Sequence, residues 1–113
     1  VSQGQSLPYA LALPQCGSFG YEVVSIQNQA ENNWLEVTSG IHNPEDWWIG
    51  LGDQATEGVH VWADGSPFIY SNWDAGQPNN WLGQDCAEIH TDDGFWNDED
   101  CGLTFNNTIC ESP

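Results

Sequence analysis

The chain opens with a short apolar run that has helical features. Residues 6–13, SLPYALAL, could form a short helix, because Ser6 and Pro8 are residue types that favour the cap and the first turn. Pro14 and Gly17 follow, and both residue types end helices. The pattern predicts a first helix over residues 6–13.

A longer helical pattern follows. Asn28 and Glu31 form a capping pair, since an N-cap amide and an acid three positions later can satisfy free backbone N–H groups. Apolar residues then recur at helical spacing, at Ala30, Trp34, Val37 and Ile41. We expect a helix that starts after Asn28, buries this apolar face and ends at Gly40.

Short strand-like runs occupy much of the remaining chain, separated by Gly, Asp and Asn. They are YEVVSI (21–26), DWWIGL (46–51), GVHVW (58–62), DCAEIH (85–90), GFWN (94–97) and TIC (108–110). Asp93–Gly94 is typical of a hairpin turn. Helices that precede strands in this order predict an α+β fold with an antiparallel sheet.

The segment between Trp62 and Gln84 has little periodicity. It is too long for a passive connection in so small a domain, so we expect a functional loop or one held by metal. No Pro/Gly/Ser-rich run divides the chain, and 113 residues suffice for one modest core. The sequence therefore predicts a single domain over residues 1–113.

The strongly acidic composition restricts which partners the chain can bind. The chain has 17 Asp and Glu residues and no Lys or Arg, so no carboxylate can pair with a fixed side-chain cation. Bound cations are expected to relieve the repulsion. Nucleic acid is not an expected partner, because phosphate recognition needs Lys and Arg. Membrane insertion is not expected either, since no span of 18 apolar residues is present.

Four cysteines indicate two disulfides and a secreted, extracellular protein, with three pairings open on residue count alone. A zinc site is not expected, because no C-x-x-C pair exists and Cys86 and His90 share only a spacing. The chain begins at Val1 without an apolar signal segment, which we interpret as a processed or excised domain.

Ordered motifs over about residues 9–112 resemble the C-type lectin-like domain family. They are CGSFGYEVVSI, AEN, WIGL, GDQATEG, VWADGSP, NW, GQPNN, DC, WND and ICE, in that order and at the separations typical of the family. The resemblance implies two helices, small antiparallel sheets and a long loop that carries Ca²⁺ and sugar. It also implies the disulfides Cys16–Cys110 and Cys86–Cys101.

By resemblance, a sugar-binding Ca²⁺ site would be formed by Gln77, Asn79, Gln84, Asn97 and Asp98. Only Asp98 is a carboxylate, and calcium affinity rises with the negative charge of the ligands. This site should therefore bind calcium weakly, with a dissociation constant of about 10⁻³ M or higher. Trp81 lies in the same loop. It either plugs the loop or presents a flat face to a sugar ring.

A second family Ca²⁺ site lies beside the first. Its ligands by resemblance are Asp53, Glu57, Asn80, the backbone carbonyl of Gln84, and Asp85. Three carboxylates make it the stronger site. The alternative is that these are solvated turn acids, with Asp53 capping the loop.

The tryptophans are expected to be mostly structural. The resemblance marks Trp48, Trp62, Trp73 and Trp96 as core residues or loop anchors, and Trp34 lies on the apolar face of the second helix.

Enzymatic activity is not expected, because His42, His60 and His90 are scattered and every cysteine is assigned to a disulfide. Asn106-Asn107-Thr108 is a glycosylation sequon and predicts a glycoprotein modified at Asn106.

One departure from the family concerns assembly. Only VSQGQ precedes Ser6, so the family's first strand is short or missing. An exposed edge near TICES would favour self-association by strand addition. Two functions therefore follow from the sequence: a calcium-dependent domain that binds a carbohydrate or glycoprotein, or a structural module that binds no sugar, such as a subunit of an extracellular fibre.

Overall fold

A computed structural model of the chain describes residues 6–42, 44–54, 56, 58–78, 84–102, 104 and 106–111, with the backbone alone of residue 42. Over these residues the fold is α+β, as predicted. Its elements are α1 (Tyr9–Gly17), β1 (Glu22–Val23), α2 (Gln29–His42), β2 (Trp47–Gly52), β3 (Val61–Trp62), β4 (Cys86–Ile89), β5 (Trp96–Glu99), β6 (Asn107–Thr108) and β7 (Cys110–Glu111).

The main sheet is built around β2. Its strand order is β3-β2-β4-β5, and β6 also pairs with β2. The pairs along this path are antiparallel, as expected, whereas β6 runs parallel to β2 with Trp47 opposite Asn107. A separate two-stranded sheet joins β1 to β7, with Val23 opposite Cys110. Residues 107–111 therefore contribute a strand to each sheet.

The predicted bounds of α1 are wrong at both ends. The helix begins at Tyr9, with Pro8 rather than Ser6 at the N-cap and no capping hydrogen bond from a side chain, and it continues through Pro14 to Gly17. Ala12 and Cys16 are buried, and Cys16 is bonded to Cys110. We attribute the extra turn to this burial and cross-link, which outweigh the helix-breaking tendency of one proline.

The predicted start of α2 is confirmed. The N–H of Glu31 donates to Asn28 Oδ1 over 2.8 Å, and Glu31 Oε1 accepts the N–H of Gln27, also over 2.8 Å. The predicted end is wrong, because the helix runs past Gly40 to residue 42. Gly40 does not adopt the left-handed conformation that ends helices, and it lies close to Thr91.

The predicted buried face of α2 is also wrong. Trp34, Val37 and Ile41 are 60%, 61% and 79% exposed. The face turned inward carries Asn32, Leu35 and Ser39, all of which are buried. Asn32 can occupy this face because both ends of its amide are hydrogen-bonded: Asn32 Nδ2 donates to Gly94 O over 2.9 Å, and Trp96 Nε1 donates to Asn32 Oδ1 over 2.8 Å.

The core roles of four tryptophans are confirmed. Trp48, Trp62 and Trp96 are buried, and Trp73 packs against the main cluster while partly exposed. Trp96 is central, with Trp62, Tyr70 and Trp73 each meeting it edge to face at centroid distances of 5.7, 5.8 and 5.7 Å. Tyr70 and Trp73 belong to the loop between β3 and β4, so these ring contacts attach that part of the loop to the core.

Both expected disulfides are present. Cys16 is bonded to Cys110 and Cys86 to Cys101, across 94 and 15 residues of sequence. In the chain-entropy model such bridges contribute about 4.5 and about 3 kcal/mol to the stability. None of the helices described here is long and apolar enough to span a membrane.

A short pairing of the N-terminal segment is present in the described chain. Leu7 forms an isolated antiparallel bridge with Asn106, and its carbonyl accepts a hydrogen bond from Trp48 Nε1 over 2.7 Å. Residues 1–5 lie outside the described part, so the remainder of the first-strand prediction, and the self-association it suggests, stays a prediction.

Candidate functional site

The loop between β3 and β4 is held against β5, which carries two of the predicted ligands. Trp73 forms a parallel bridge with Trp96. The N–H of Trp96 donates to Asn72 O, and the N–H of Asp74 donates to Trp96 O, each over 2.9 Å. The loop therefore runs beside the start of β5, immediately before Asn97 and Asp98.

The structure brings Gln77 to Asp98, one of the two predicted ligands on β5. The N–H of Asp98 donates to Gln77 Oε1 over 3.4 Å, and the N–H of Gln77 donates to Asp74 O over 2.9 Å. Asp98 is only 2% exposed. Gln77 thus lies beside Asp98, from which it is 21 residues away in sequence, and Asn97 precedes Asp98 in β5.

Asn97 has a buried side-chain oxygen without a partner among the described residues. Its Oδ1 atom is buried and accepts no hydrogen bond from any residue in the described ranges. A buried amide oxygen left in this state costs free energy unless a ligand or water reaches it. Amide and carboxylate oxygens are ligands that calcium takes, so Asn97 and Asp98 fit the calcium that the resemblance implies.

The structure also joins two of the acids assigned to the second calcium. The N–H of Asp53 donates to the carbonyl of Asp85 over 2.9 Å. At the preceding Gly52, an added Cβ would lie 2.7 Å from that carbonyl, so only glycine permits this approach. The backbones of these two residues are therefore adjacent where β2 and β4 meet.

Asp53 also caps its loop, as the alternative interpretation supposed. Its Oδ2 atom accepts the N–H of Gly58 over 2.9 Å, and the side chain is buried. His60 Nε2 lies 4.0 Å from the same oxygen. Loop capping occupies one carboxylate oxygen and is compatible with metal binding by the residue. A buried carboxylate in a chain without Lys or Arg suits a cation.

Other predicted site residues are described only in part or not at all. Gln84 is partly buried two residues before β4. The predicted ligands and contacts Glu57, Asn79, Asn80 and Trp81 lie outside the described residues. Their assignments therefore stay predictions.

The structure argues against a glycan on Asn106. The residue is buried, and its Nδ2 atom, which would carry the glycan, donates to Glu88 Oε1 over 2.8 Å. The sequon occurs in a segment that is exposed in many proteins but pairs here with Leu7. Glycosylation at Asn106 would break this buried hydrogen bond.

One group of chemistry-bearing residues was missed by the sequence analysis. Asp46, Glu88 and His90, termed here the His90 cluster, place one ligand atom each within 4.8 Å of one another. The run DCAEIH, predicted as strand-like, could have suggested a shared face for Glu88 and His90, which are two positions apart. Asp46 could be added only from the pairing of β2 with β4.

The sequence model of a protein family, the Lectin C-type domain, matches residues 5–112, which is nearly the whole chain.

The chain belongs to the C-type lectin domain family.

Similar proteins agree with this assignment. The mannose-binding protein of Gallus gallus is 41% identical over 96 residues, which cover 85% of this chain and 37% of that protein. This C-type lectin domain thus spans well under half of that relative. The mouse scavenger receptor C-type lectin carbohydrate-recognition domain has a TM-score of 0.85 and 37% identity, over 96% of this chain and 82% of that one.

A further solved structure has the same fold under a different description. A calcium-independent type II antifreeze protein has a TM-score of 0.85 and 25% identity, over 96% of this C-type lectin domain and 81% of that chain. The family to which the chain belongs is one of binding domains, which agrees with the expectation that it is not an enzyme.

Proposed function

We propose that this C-type lectin domain binds a carbohydrate or glycoprotein ligand in a calcium-dependent manner, as part of a secreted, extracellular protein. The observation that carries the proposal is the buried Oδ1 atom of Asn97, which accepts no hydrogen bond from the described residues, beside the buried carboxylate of Asp98. The names of the chicken and mouse relatives, a mannose-binding protein and a carbohydrate-recognition domain, support the ligand class.

The residues divide into two groups by role. Gln77, Asn97 and Asp98, with Asn79 and Gln84, would hold the calcium that sugar hydroxyls complete, and Trp81 is a candidate stacking face. Asp53 and Asp85, with Glu57, Asn80 and the carbonyl of Gln84, would hold the neighbouring calcium. When bound, calcium supplies open coordination positions for two hydroxyl oxygens, and the side chains orient it.

The two groups should act together. The sugar-site group contains one carboxylate. By charge alone, it should bind calcium as weakly as the weakest extracellular sites, with a dissociation constant of about 10⁻³ M. Asp53 and Asp85 are joined by a backbone hydrogen bond at the base of the same loop. A cation beside them would stabilise the loop and thereby raise occupancy at Asp98. Sugar binding is therefore expected to need both groups.

Secretion is supported by the two disulfides, which persist in oxidising compartments. The strongly acidic composition also suits calcium-rich surroundings, because a bound cation lowers the repulsion among 17 acids.

The test combines calcium titration with a glycan array. Asp98→Asn should abolish glycan binding at millimolar calcium, because it removes the one carboxylate of the sugar-site group. Asp53→Asn touches no sugar in this scheme, yet it should reduce glycan binding and calcium affinity through the loop. Its melting temperature should fall below wild type in calcium but match wild type in chelator, since a ligand stabilises only the state that binds it.

Glu22→Gln is the matched control. It removes the same charge from β1, in the other sheet, and should leave calcium and glycan binding unchanged. Glycan binding that persists in chelator contradicts the calcium-dependent mechanism. If calcium binds but no glycan does at millimolar calcium, the domain is a non-sugar-binding interaction module. The similarity to a calcium-independent antifreeze protein is the reason to test for this second function separately.

A further inference from the structure

The His90 cluster shares no residue with either predicted group of calcium ligands. Asp46 immediately precedes β2, Glu88 lies in β4, and His90 immediately follows β4. Because Trp47 faces Ile89 in the antiparallel pairing, the residue before one comes beside the residue after the other. Glu88 and His90 are two positions apart and share a face.

The three side chains already have the separations of a ligand set. His90 Nε2 lies 3.0 Å from Glu88 Oε2, and one ligand atom from each of the three residues falls within 4.8 Å of the other two. Glu88 is 3% exposed, whereas Asp46 and His90 are partly buried. The cluster therefore reaches from the protein interior to the surface.

Carboxylates outnumber the single imidazole at this place. Asp46 and Glu88 both lie beside His90, and the carboxylate of Glu99 lies beside that of Glu88. With no Lys or Arg anywhere in the chain, a divalent cation is the partner that would relieve this crowding.

Groups outside the cluster orient its members. Asn106 Nδ2, from the segment before β6, donates to Glu88 Oε1 over 2.8 Å and leaves Oε2 directed to His90. On the other side of the imidazole, Asp93 Oδ1 lies 4.0 Å from Nδ1. Metal-binding carboxylates are themselves hydrogen-bonded, and a metal-binding histidine commonly has a carboxylate beside its second nitrogen. Asn106 and Asp93 are not proposed ligands, but they hold Glu88 and His90 in place for binding.

The cluster is also accessible. A polar hollow of about 320 Å³ opens beside it, lined by Pro44, Glu45, Asp46, His90, Thr91 and Asp92. The hollow gives an ion a path to the two partly buried ligands and leaves room for water to complete its coordination.

We infer that Asp46, Glu88 and His90 form a binding site for a divalent transition metal ion, with Zn²⁺ the best match. One imidazole nitrogen with two carboxylate oxygens suits zinc, which accepts three protein ligands and a water. Calcium instead takes six to eight oxygens and gains little from an imidazole. This site uses no cysteine and so differs from the zinc sites that cysteine spacing predicts.

The test is calorimetric titration of the metal-free, full-length chain with ZnCl₂ in the presence of saturating calcium. Wild type should bind one Zn²⁺ with a dissociation constant well below millimolar. Asp46→Asn and His90→Gln should each weaken binding at least tenfold. Asp92→Asn, which lines the hollow and loses the same charge as Asp46→Asn, should stay within twofold of wild type. His60→Gln should do so as well.

A second measurement needs no variant. Zn²⁺ should shift the ring resonances of His90 in an NMR titration at lower concentrations than those of His60. Circular dichroism in chelator confirms that each variant is folded. Failure of wild type to bind Zn²⁺ below millimolar, or unchanged binding by His90→Gln, overturns the site.

Two further variants separate this inference from other assignments. Asp74 and Asp93 form another candidate group with His90, on the side of Asp93. If Asp74→Asn weakens zinc binding while Asp46→Asn does not, the ion lies on that side and the proposed ligand set is wrong. Asp98→Asn should keep full zinc affinity, and His90→Gln should keep calcium affinity, so this site and the proposed lectin function can fail separately.

Discussion

Asn32 connects α2 to the start of β5 through both atoms of its amide. It is completely buried, accepts from Trp96 Nε1 and donates to Gly94 O. Trp96 in turn is the ring on which the long loop rests. A single polar residue therefore sets the distance between the helix and the strand that carries Asn97 and Asp98.

Asn32→Leu is expected to destabilise the domain by about 1–3 kcal/mol. The reason is that the buried indole N–H of Trp96 loses its acceptor, and an unsatisfied buried donor costs about that much. Gly94 O adds little to the loss, because Asn72 Nδ2 also donates to it, over 2.7 Å. Chemical denaturation in chelator measures the effect free of any contribution from calcium.

Asn33→Leu is the comparison variant for this residue. Asn33 is the exposed neighbour on the same helix, and its substitution should change the free energy of unfolding by less than about 0.5 kcal/mol. Equal stability of the two variants would show that the amide of Asn32 does not hold Trp96 in place.

At the scale of the element, α2 turns its most apolar stripe outward. Trp34, Val37 and Ile41 follow one another along its solvent side, while Leu35 points into the core. The helix is consequently attached by a mixed face of one leucine and buried polar residues. The outward stripe contributes little to holding α2 against the described part of the domain.

Ile41→Gln should therefore be nearly neutral, with a change in unfolding free energy within about 0.5 kcal/mol. Leu35→Ala, on the inner face of the same helix, should cost about 2–5 kcal/mol because it leaves a cavity in the core. Urea titration followed by tryptophan fluorescence compares the two. A loss of 2 kcal/mol or more in Ile41→Gln would mean that this stripe is covered in the folded protein.

These helices also show where sequence patterns stop being informative. Motif order and spacing sufficed for the fold and both disulfides, and the capping pair of Asn28 and Glu31 sufficed for the start of α2. The end of α1 depends on a covalent partner almost a full chain length away, and the inner face of α2 depends on two hydrogen-bonding groups in another segment. Helical periodicity contains neither kind of information, so the prediction based on it buried the more apolar face of α2.

The candidate sites divide in the same way. The contacts of Gln77 with Asp98 and of Asp53 with Asp85 agree with the groups that the motifs assign. The His90 cluster has no motif, because Asp46 and His90 come together only through the register of β2 against β4. Residues from two strands with no characteristic spacing can be grouped only once that register is known.

For the whole molecule, charge is the dominant long-range term. The formal net charge of −17 is confined to a domain with extents of 29 × 26 × 26 Å. The Debye length is about 30 Å at 0.01 M salt and about 8 Å at 0.15 M. At low salt each acid is thus repelled by acids across the whole domain, whereas at physiological salt it is repelled mainly by its neighbours.

Raising NaCl from 0.01 M to 0.15 M in chelator should therefore raise the melting temperature. For a domain of this size the rise is about 4–8 °C for each kcal/mol of repulsion that is screened. Scanning calorimetry measures it. KCl at equal ionic strength should give the same curve, since screening depends on ionic strength and not on the cation. A melting temperature that is flat or falling with salt contradicts this account.

The bond between Cys16 and Cys110 has a mechanical consequence. A pulling force applied to the two ends of this chain passes through that covalent link and bypasses the 94 residue steps that it encloses. Only the fifteen residues before Cys16 and the three after Cys110 can be drawn out, which extends the chain by at most about 60 Å, against about 400 Å for all 113 residues. The disulfide-bonded domain therefore behaves under tension as a nearly inextensible link, and the loop that carries the candidate calcium ligands bears none of the load.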